Sequence, residues 1–170
     1  PEGALTFLCG SVGDLLDHLG PQDVLAFTGS ADTGAKLRGR ADLVRKAVRV
    51  NIEADSLNAA VLGGDVEPAS VTYDLFVRDV VKDVTQKAGQ KCTAIRRVIV
   101  PRAMLEDVRR DLSEQLAAIR VGDPRQKDVR MGPVATRGQL DDVRAGIAKL
   151  RTVAEPALGD GGRGTLVGVT

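Results

Sequence analysis

Apolar and polar positions along the chain follow two rhythms. The short apolar run Ala4-Leu5-Thr6-Phe7-Leu8-Cys9, closed by Gly10, predicts a buried strand. Val12, Leu15, Leu16 and Leu19 then recur at helical spacing, with Ser11 placed to cap the start and Gly20-Pro21 to stop it; this predicts a helix carrying His18 as a solvated or locally bonded side chain. Val24-Leu25-Ala26-Phe27 predicts a second buried strand, Leu43 to Ala47 a short helix, and the alternating Val48-Arg49-Val50-Asn51-Ile52-Glu53 a third strand with Glu53 at or just past its C-terminal end. Asn58 to Leu62 reads as a further strand closed by Gly63-Gly64. From Tyr73 to about Lys87 a long helix is expected, because Tyr73, Phe76, Val77, Val80, Val81, Val84 and Ala88 keep the helical period. Val98-Ile99-Val100 is a strand broken by Pro101. A helix with Leu105, Val108, Leu112, Leu116 and Ile119 on one side follows, then a turn at Gly122-Asp123-Pro124 and a helix with Leu140, Val143, Ile147 and Leu150. A glycine-rich loop over Gly159 to Gly164 precedes the apolar Leu166-Val167-Gly168-Val169, read as a terminal strand. Strands alternate with helices and no internal repeat is present, which is the pattern of an α/β fold.

Composition narrows the function classes. At 170 residues, with 43% hydrophobic and 28% charged residues, the chain has the make-up of a soluble globular protein of one domain's size. A formal net charge of +1 gives no electrostatic reason for a nucleic-acid partner, and three Phe, one Tyr and no Trp leave few rings for bases to stack on. No apolar run approaches the roughly 18 to 20 residues that span a bilayer, so no membrane partner is expected. Two cysteines, Cys9 and Cys92, and the single His18 cannot supply the four ligands of a structural zinc site, so no metal is expected. One far-spaced cysteine pair is not a secreted disulfide framework, and a cytoplasmic location is inferred. The chain opens on Pro1 rather than Met and is read as an interior piece of something longer.

Three stretches carry candidate chemistry. Lys87-Ala88-Gly89-Gln90-Lys91-Cys92-Thr93-Ala94 delivers a cysteine from the end of a helix, with Lys91 beside it and Gly89 allowing close backbone approach; Cys92 is a candidate nucleophile, or else an inert packing cysteine. Thr28-Gly29-Ser30-Ala31-Asp32-Thr33-Gly34 is a strand-to-helix turn whose free N–H groups suit a phosphate. It is not a P-loop, since Ala35 follows the second glycine where Lys is needed, and the competing reading is a capped helix start with a glycine for close packing. Glu53 would stand at the strand edge where ligands bind in open parallel sheets, or else be a solvated loop glutamate. Arg96 and Arg97 are read as paired surface charges on a strand, or as partners for a ligand's phosphates.

Taken in order, Phe27-Thr28-Gly29-Ser30 with Gly34, then Glu53, then Gly89-Gln90-Lys91-Cys92 resemble the successive signatures of the NAD(P)-dependent aldehyde dehydrogenase superfamily. Gly122-Asp123-Pro124 and Met131-Gly132-Pro133-Val134 are similar to its later landmarks. Within it, Glu53 to Asn58 and Lys87 to Arg97 resemble the branch acting on CoA-linked semialdehydes in aerobic aromatic degradation, on the phenylacetate and benzoyl-CoA routes, whose phenylacetate members are bifunctional. The resemblance implies a Rossmann-like parallel sheet with flanking helices, residues 1–88 ending a cofactor-binding domain and residues 89–170 forming part of a catalytic domain. It implies Cys92 as nucleophile and Glu53 as general base. Thr28, Gly29, Ser30, Thr33 and Gly34 would lie along NADP or NAD, the substrate would be a small CoA-linked aldehyde, and the protein would be a homo-oligomer. Where the superfamily continues its glutamate with Leu-Gly-Gly, this chain has Ala54-Asp55-Ser56. The competing class is a non-catalytic α/β interaction or assembly module.

Overall fold

The computed structural model describes residues 2–159. They form two compact units, the first ending at Asp55 and the second beginning at Ser56. The expected division after Ala88 would fall inside the second unit.

The first unit is a β-α-β crossover. Strands β1 (Val24–Gly29) and β2 (Arg49–Ala54) pair in parallel, in a register running from Val24 opposite Arg49 to Gly29 opposite Ala54. Because side chains alternate across a strand, Leu25 and Phe27 on β1 and Val50, Ile52 and Ala54 on β2 are half-buried on one face while their neighbours are exposed. Helix α1 (Ala31–Arg38) packs on the strands, and Ser30 caps it by accepting from the Thr33 N–H at 3.3 Å. Helix α2 (Ala41–Arg45) stops where Ala47 turns left-handed at φ 53° and the Val48 N–H reaches back to the Leu43 carbonyl at 3.0 Å, a Schellman closure.

Two expected elements are absent from this unit. The apolar run Ala4 to Cys9 forms no strand: it has no ladder partner among the described residues, and Leu5 and Phe7 stand 93% and 88% exposed. The helix expected from Val12 to Leu19 contracts to a single 3-10 turn, Leu15–His18, with Asp14 rather than Ser11 at its start. Gly13, at φ 54°, has left-handed backbone that an α-helix cannot contain, so the helical spacing is interrupted before it can propagate. His18 is exposed and lies 3.6 Å from Asp14, as a locally paired side chain.

In the second unit, strands β3 (Ala59–Val61) and β4 (Arg97–Ile99) pair in parallel. Between them runs helix α3 (Val71–Thr85), capped by Ser70, whose hydroxyl accepts from the Tyr73 N–H at 3.3 Å. After a 3-10 turn, Arg102–Met104, helix α4 (Leu105–Ala117) packs on α3, and α5 (Arg137–Leu150) starts at the Thr136 cap. The core joins Leu62, Tyr73, Val77, Met104 and Val108, with Phe76 and Leu112 against it; Tyr73, Phe76, Val77, Val108 and Leu112 are helical-period positions of the sequence, whereas Met104 is buried in place of the expected Leu105, which is exposed. Helix α3 ends at Thr85, two residues before the expected Lys87, and Ala88 lies outside it because Lys87 and Ala88 turn left-handed at φ 52° and 54°. The run Leu166 to Val169 lies outside the described residues, as does the glycine-rich loop beyond Gly159. No helix among the described residues is long and apolar enough to cross a membrane.

Candidate active site

Helix α3 delivers the chain to Cys92 through a sharply wound turn. Lys87, Ala88 and Gly89 are successively left-handed, the last at φ 73°, and non-glycine residues hold such backbone only when their surroundings impose it. Asp83, in the last turn of α3, imposes part of it. One carboxylate oxygen accepts from the Lys91 ammonium and the other from the Ile95 N–H at 2.7 Å, so one side chain ties both flanks of Cys92 to the helix. Lys91 first, then the Ile95 N–H, holds the Asp83 carboxyl below the usual carboxylate range. Lys91 also donates to Gln86 at 2.8 Å, so its charge is turned to Asp83 and Gln86.

The two peptide groups beside the Cys92 α-carbon are both anchored through their carbonyls. The Lys91 carbonyl accepts from the Ala94 N–H at 3.1 Å and from Arg96 at 3.4 Å. The Cys92 carbonyl accepts from the Asn58 carboxamide at 2.8 Å and from the Ser56 hydroxyl. Among the described residues none accepts from the Cys92 N–H, and the Cys92 thiol is free and exposed rather than packed. Arg96 and Arg97 both reach backbone carbonyls of this neighbourhood, Arg96 that of Gly89 at 3.1 Å and Arg97 that of Leu57 at 2.5 Å.

The two later landmarks meet beside this turn. A short parallel bridge joins Val121 to Met131, with the Gly122 N–H on the Met131 carbonyl at 3.0 Å. Gln90 then accepts from the Ala135 N–H at 3.0 Å, fastening the Met131-Gly132-Pro133-Val134 segment to the residues preceding Cys92. Lys87, Ala88, Gln90, Pro124, Met131 and Pro133 help to line a cavity of about 570 Å³ there.

In the first unit, Thr28 on β1 and Glu53 on β2 are direct register partners, both exposed, near the C-terminal ends of parallel strands. The turn between β1 and α1 fits a dinucleotide phosphate in its backbone. Gly34 is buried, and a β-carbon there would come within 2.7 Å of Ile52 Cγ2; a β-carbon on Gly29 would meet the Phe27 ring at 2.4 Å. The Ala31 and Asp32 N–H groups at the start of α1 have no acceptor among the described residues, whereas those of Thr33 and Gly34 are taken by the Ser30 hydroxyl and carbonyl. Thr33 therefore serves the cap and Gly34 the packing, while Thr28, Gly29 and Ser30 are exposed. A recess lined by Ala31, Gly34, Arg38, Ile52 and Ala54 follows α1 along β2. Asp55 stands at φ 42°, a left-handed backbone that aspartate tolerates.

The candidate residues thus form two groups. Thr28, Gly29, Ser30, Thr33, Gly34 and Glu53 share the crossover of the first unit, and Cys92 stands on the second. Asn58, Ser56 and Asp83 were not singled out from sequence. The only signal for Asn58 was a carboxamide heading an otherwise apolar strand, where a side chain with two donors has no packing role.

These features define an α/β protein with a glycine turn at a helix start and an exposed cysteine on an anchored turn. The chain belongs to the aldehyde dehydrogenase family, whose model matches residues 1–168. It is 45% identical over 159 residues to 3,4-dehydroadipyl-CoA semialdehyde dehydrogenase of Aromatoleum evansii, a match covering 94% of this chain and 31% of that protein. The chain therefore spans about a third of the length of this curated relative. Among solved structures it resembles an aldehyde dehydrogenase C mutant of Pseudomonas syringae in complex with NAD+ and octanal, with TM-score 0.76 and 27% identity, covering 92% of this chain and 32% of that one. Betaine aldehyde dehydrogenase of Staphylococcus aureus in complex with NAD+ shares the fold, with TM-score 0.68 and 22% identity over 82% of this chain and 27% of that one.

Proposed function

We propose that this chain is the part of an NAD(P)-dependent dehydrogenase that oxidises a CoA-linked semialdehyde to its acid in aerobic aromatic degradation, on the phenylacetate or benzoyl-CoA route. The observation that carries the chemistry is the Cys92 turn: a free, exposed thiol whose flanking carbonyls are tied down and whose own N–H is left to donate. The substrate class is supported by the 45% identity to a CoA-linked semialdehyde dehydrogenase.

In this reading the Cys92 thiolate attacks the aldehyde carbon, and the new oxyanion takes the Cys92 N–H as one preorganised donor. Bound nicotinamide supplies the hydride acceptor. Loss of hydride from the thiohemiacetal carbon leaves a thioester on Cys92. Glu53 acts as general base on a water, which adds to the thioester carbon and releases the acid and the free thiolate. Thr28, Gly29 and Ser30 would hold the cofactor, with the free N–H groups at the start of α1 available to its phosphates, and Thr33 and Gly34 hold that turn in shape. Residues 1–88 close the cofactor-binding domain and residues 89–170 open the catalytic one. The full-length protein is cytoplasmic and a homo-oligomer.

The test is transient kinetics on the full-length protein. Cys92→Ser is expected to abolish the burst of reduced nicotinamide. Glu53→Gln is expected to keep the burst and to lower steady turnover by about 100-fold or more, through an acyl-enzyme that accumulates. Normal aldehyde oxidation by Cys92→Ser removes the nucleophile assignment, and an unchanged turnover in Glu53→Gln removes the base.

A further inference from the structure

An attacking sulfur works only if the backbone beneath it does not move, and the turn bearing Cys92 lies outside every helix and strand. Its rigidity has to come from side chains. The peptide groups before and after the α-carbon together set where the Cys92 N–H and its Cα–Cβ bond point, and with them the Sγ carried on Cβ. The first is held by the Lys91 carbonyl's bonds to Ala94 and Arg96. The second is held from β3, because the Asn58 carboxamide lies 2.8 Å from the Cys92 carbonyl and 3.2 Å from that of Ala94, with the Ser56 hydroxyl on the Cys92 carbonyl as well. Both carbonyls are acceptors only, so the amide nitrogen must face them, and Ser56 in turn accepts from that nitrogen at 3.1 Å. The Asn58 backbone belongs to the same lock: its carbonyl accepts from the N–H groups of Arg96 and Arg97, at 2.8 and 3.1 Å, where β4 begins. Asn58 is half-buried beside fully buried Ala94, and its bond to the Ala94 carbonyl is part-buried, while the two bonds to the Cys92 carbonyl are exposed.

We propose that Asn58 is the positioning residue of the nucleophile: its carboxamide, with the Ser56 hydroxyl as second donor, fixes the Cys92 carbonyl and so sets the direction in which Sγ and the Cys92 N–H project. The inference rests on Cys92 being the nucleophile. Asn58 touches no reacting atom; it acts through the backbone, and its removal should slow attack while leaving cofactor binding unchanged.

The experiment measures the burst of reduced nicotinamide in the full-length protein, together with the cofactor dissociation constant and the melting temperature. Asn58→Asp keeps the shape but presents oxygen where the two carbonyls need donors. Its burst is expected to fall by about 10- to 100-fold, the range for a small misplacement of a reacting group, with cofactor affinity unchanged within about twofold. Ser56→Ala removes one donor only and should slow the burst by several-fold without a shift in melting temperature, while Ser56→Thr, which keeps the hydroxyl, should restore it. If Asn58→Asp does not fold, the Ser56 pair decides. Bursts within twofold of wild type in Asn58→Asp and Ser56→Ala, with Cys92→Ser inactive, overturn the positioning role and leave the nucleophile standing. A burst that survives Cys92→Ser overturns both.

Discussion

Gly34 shows how a single missing β-carbon decides whether helix and strand can touch. It is the buried residue of α1, and any larger residue would press on Ile52 Cγ2 at 2.7 Å. Gly34→Ala is therefore expected to destabilise the full-length protein by about 1–3 kcal/mol through overpacking. It should also weaken NAD(P) binding, because α1 must back away from β2 and carry its free N–H groups with it. Denaturant titration with and without cofactor checks this; unchanged stability and affinity would show that the crossover tolerates a side chain there. At this scale residue type suggested a capped helix start with a glycine for close packing, but it left Cys92 open between a nucleophile and a packing cysteine, and the structure shows it exposed. Residue type could not show that Lys91 is engaged by Asp83, or that Asn58 holds the Cys92 carbonyl, since those contacts join positions 8 and 34 residues apart.

At the scale of elements, α3 and α4 are held by apolar contact plus one charged bond. The Tyr73 hydroxyl donates to Asp111 at 2.6 Å. Burial first, then this bond, raises the Tyr73 phenol above its usual value, while Tyr73 first and Arg110 next hold the Asp111 carboxyl below its own. The signs are opposite. Asp111 stabilises the fold fully above the ordinary carboxylate range and loses that contribution as pH falls through its lowered value. Tyr73 contributes fully below about pH 10 and loses it as pH rises toward its raised value. The contact is thus strongest between roughly pH 4 and 10. Tyr73→Phe is expected to cost about 1–3 kcal/mol at neutral pH and to flatten the fall in stability at the acid edge. Urea titrations of the full-length protein from pH 3 to 7 measure both; equal acid sensitivity in the two proteins would show that the bond is not the titrating contact. Long periodic runs made α3 and α4 legible, because their period survives whatever they pack against. The expected amino-terminal strand and helix did not form: a short apolar run makes a strand only if another strand accepts its backbone bonds, and Gly13 interrupts the helix.

At the scale of the whole molecule, the two sheets among the described residues are two-stranded and parallel, an arrangement that proteins cover on both faces. Here all of β4 is exposed, Val61 and Ile99 stand 66% and 51% exposed, and α5 buries no residue. Relatives about three times longer supply further chain that could cover such faces. Produced alone, the 170-residue chain is expected to bind a hydrophobic dye and to elute as aggregates or oligomers, whereas the full-length protein should bind little dye. A dye-silent 17.9 kDa monomer would contradict this. The sequence alone was enough for the α/β class and the family, because periodicity, turn chemistry and motif order are local and survive without partners. Only the tertiary structure decided how Cys92 is held, which arginines and lysines are already engaged, and which apolar runs become strands. Each of those depends on hydrogen bonds and burial between residues far apart in the chain, and no local pattern encodes which distant group will arrive.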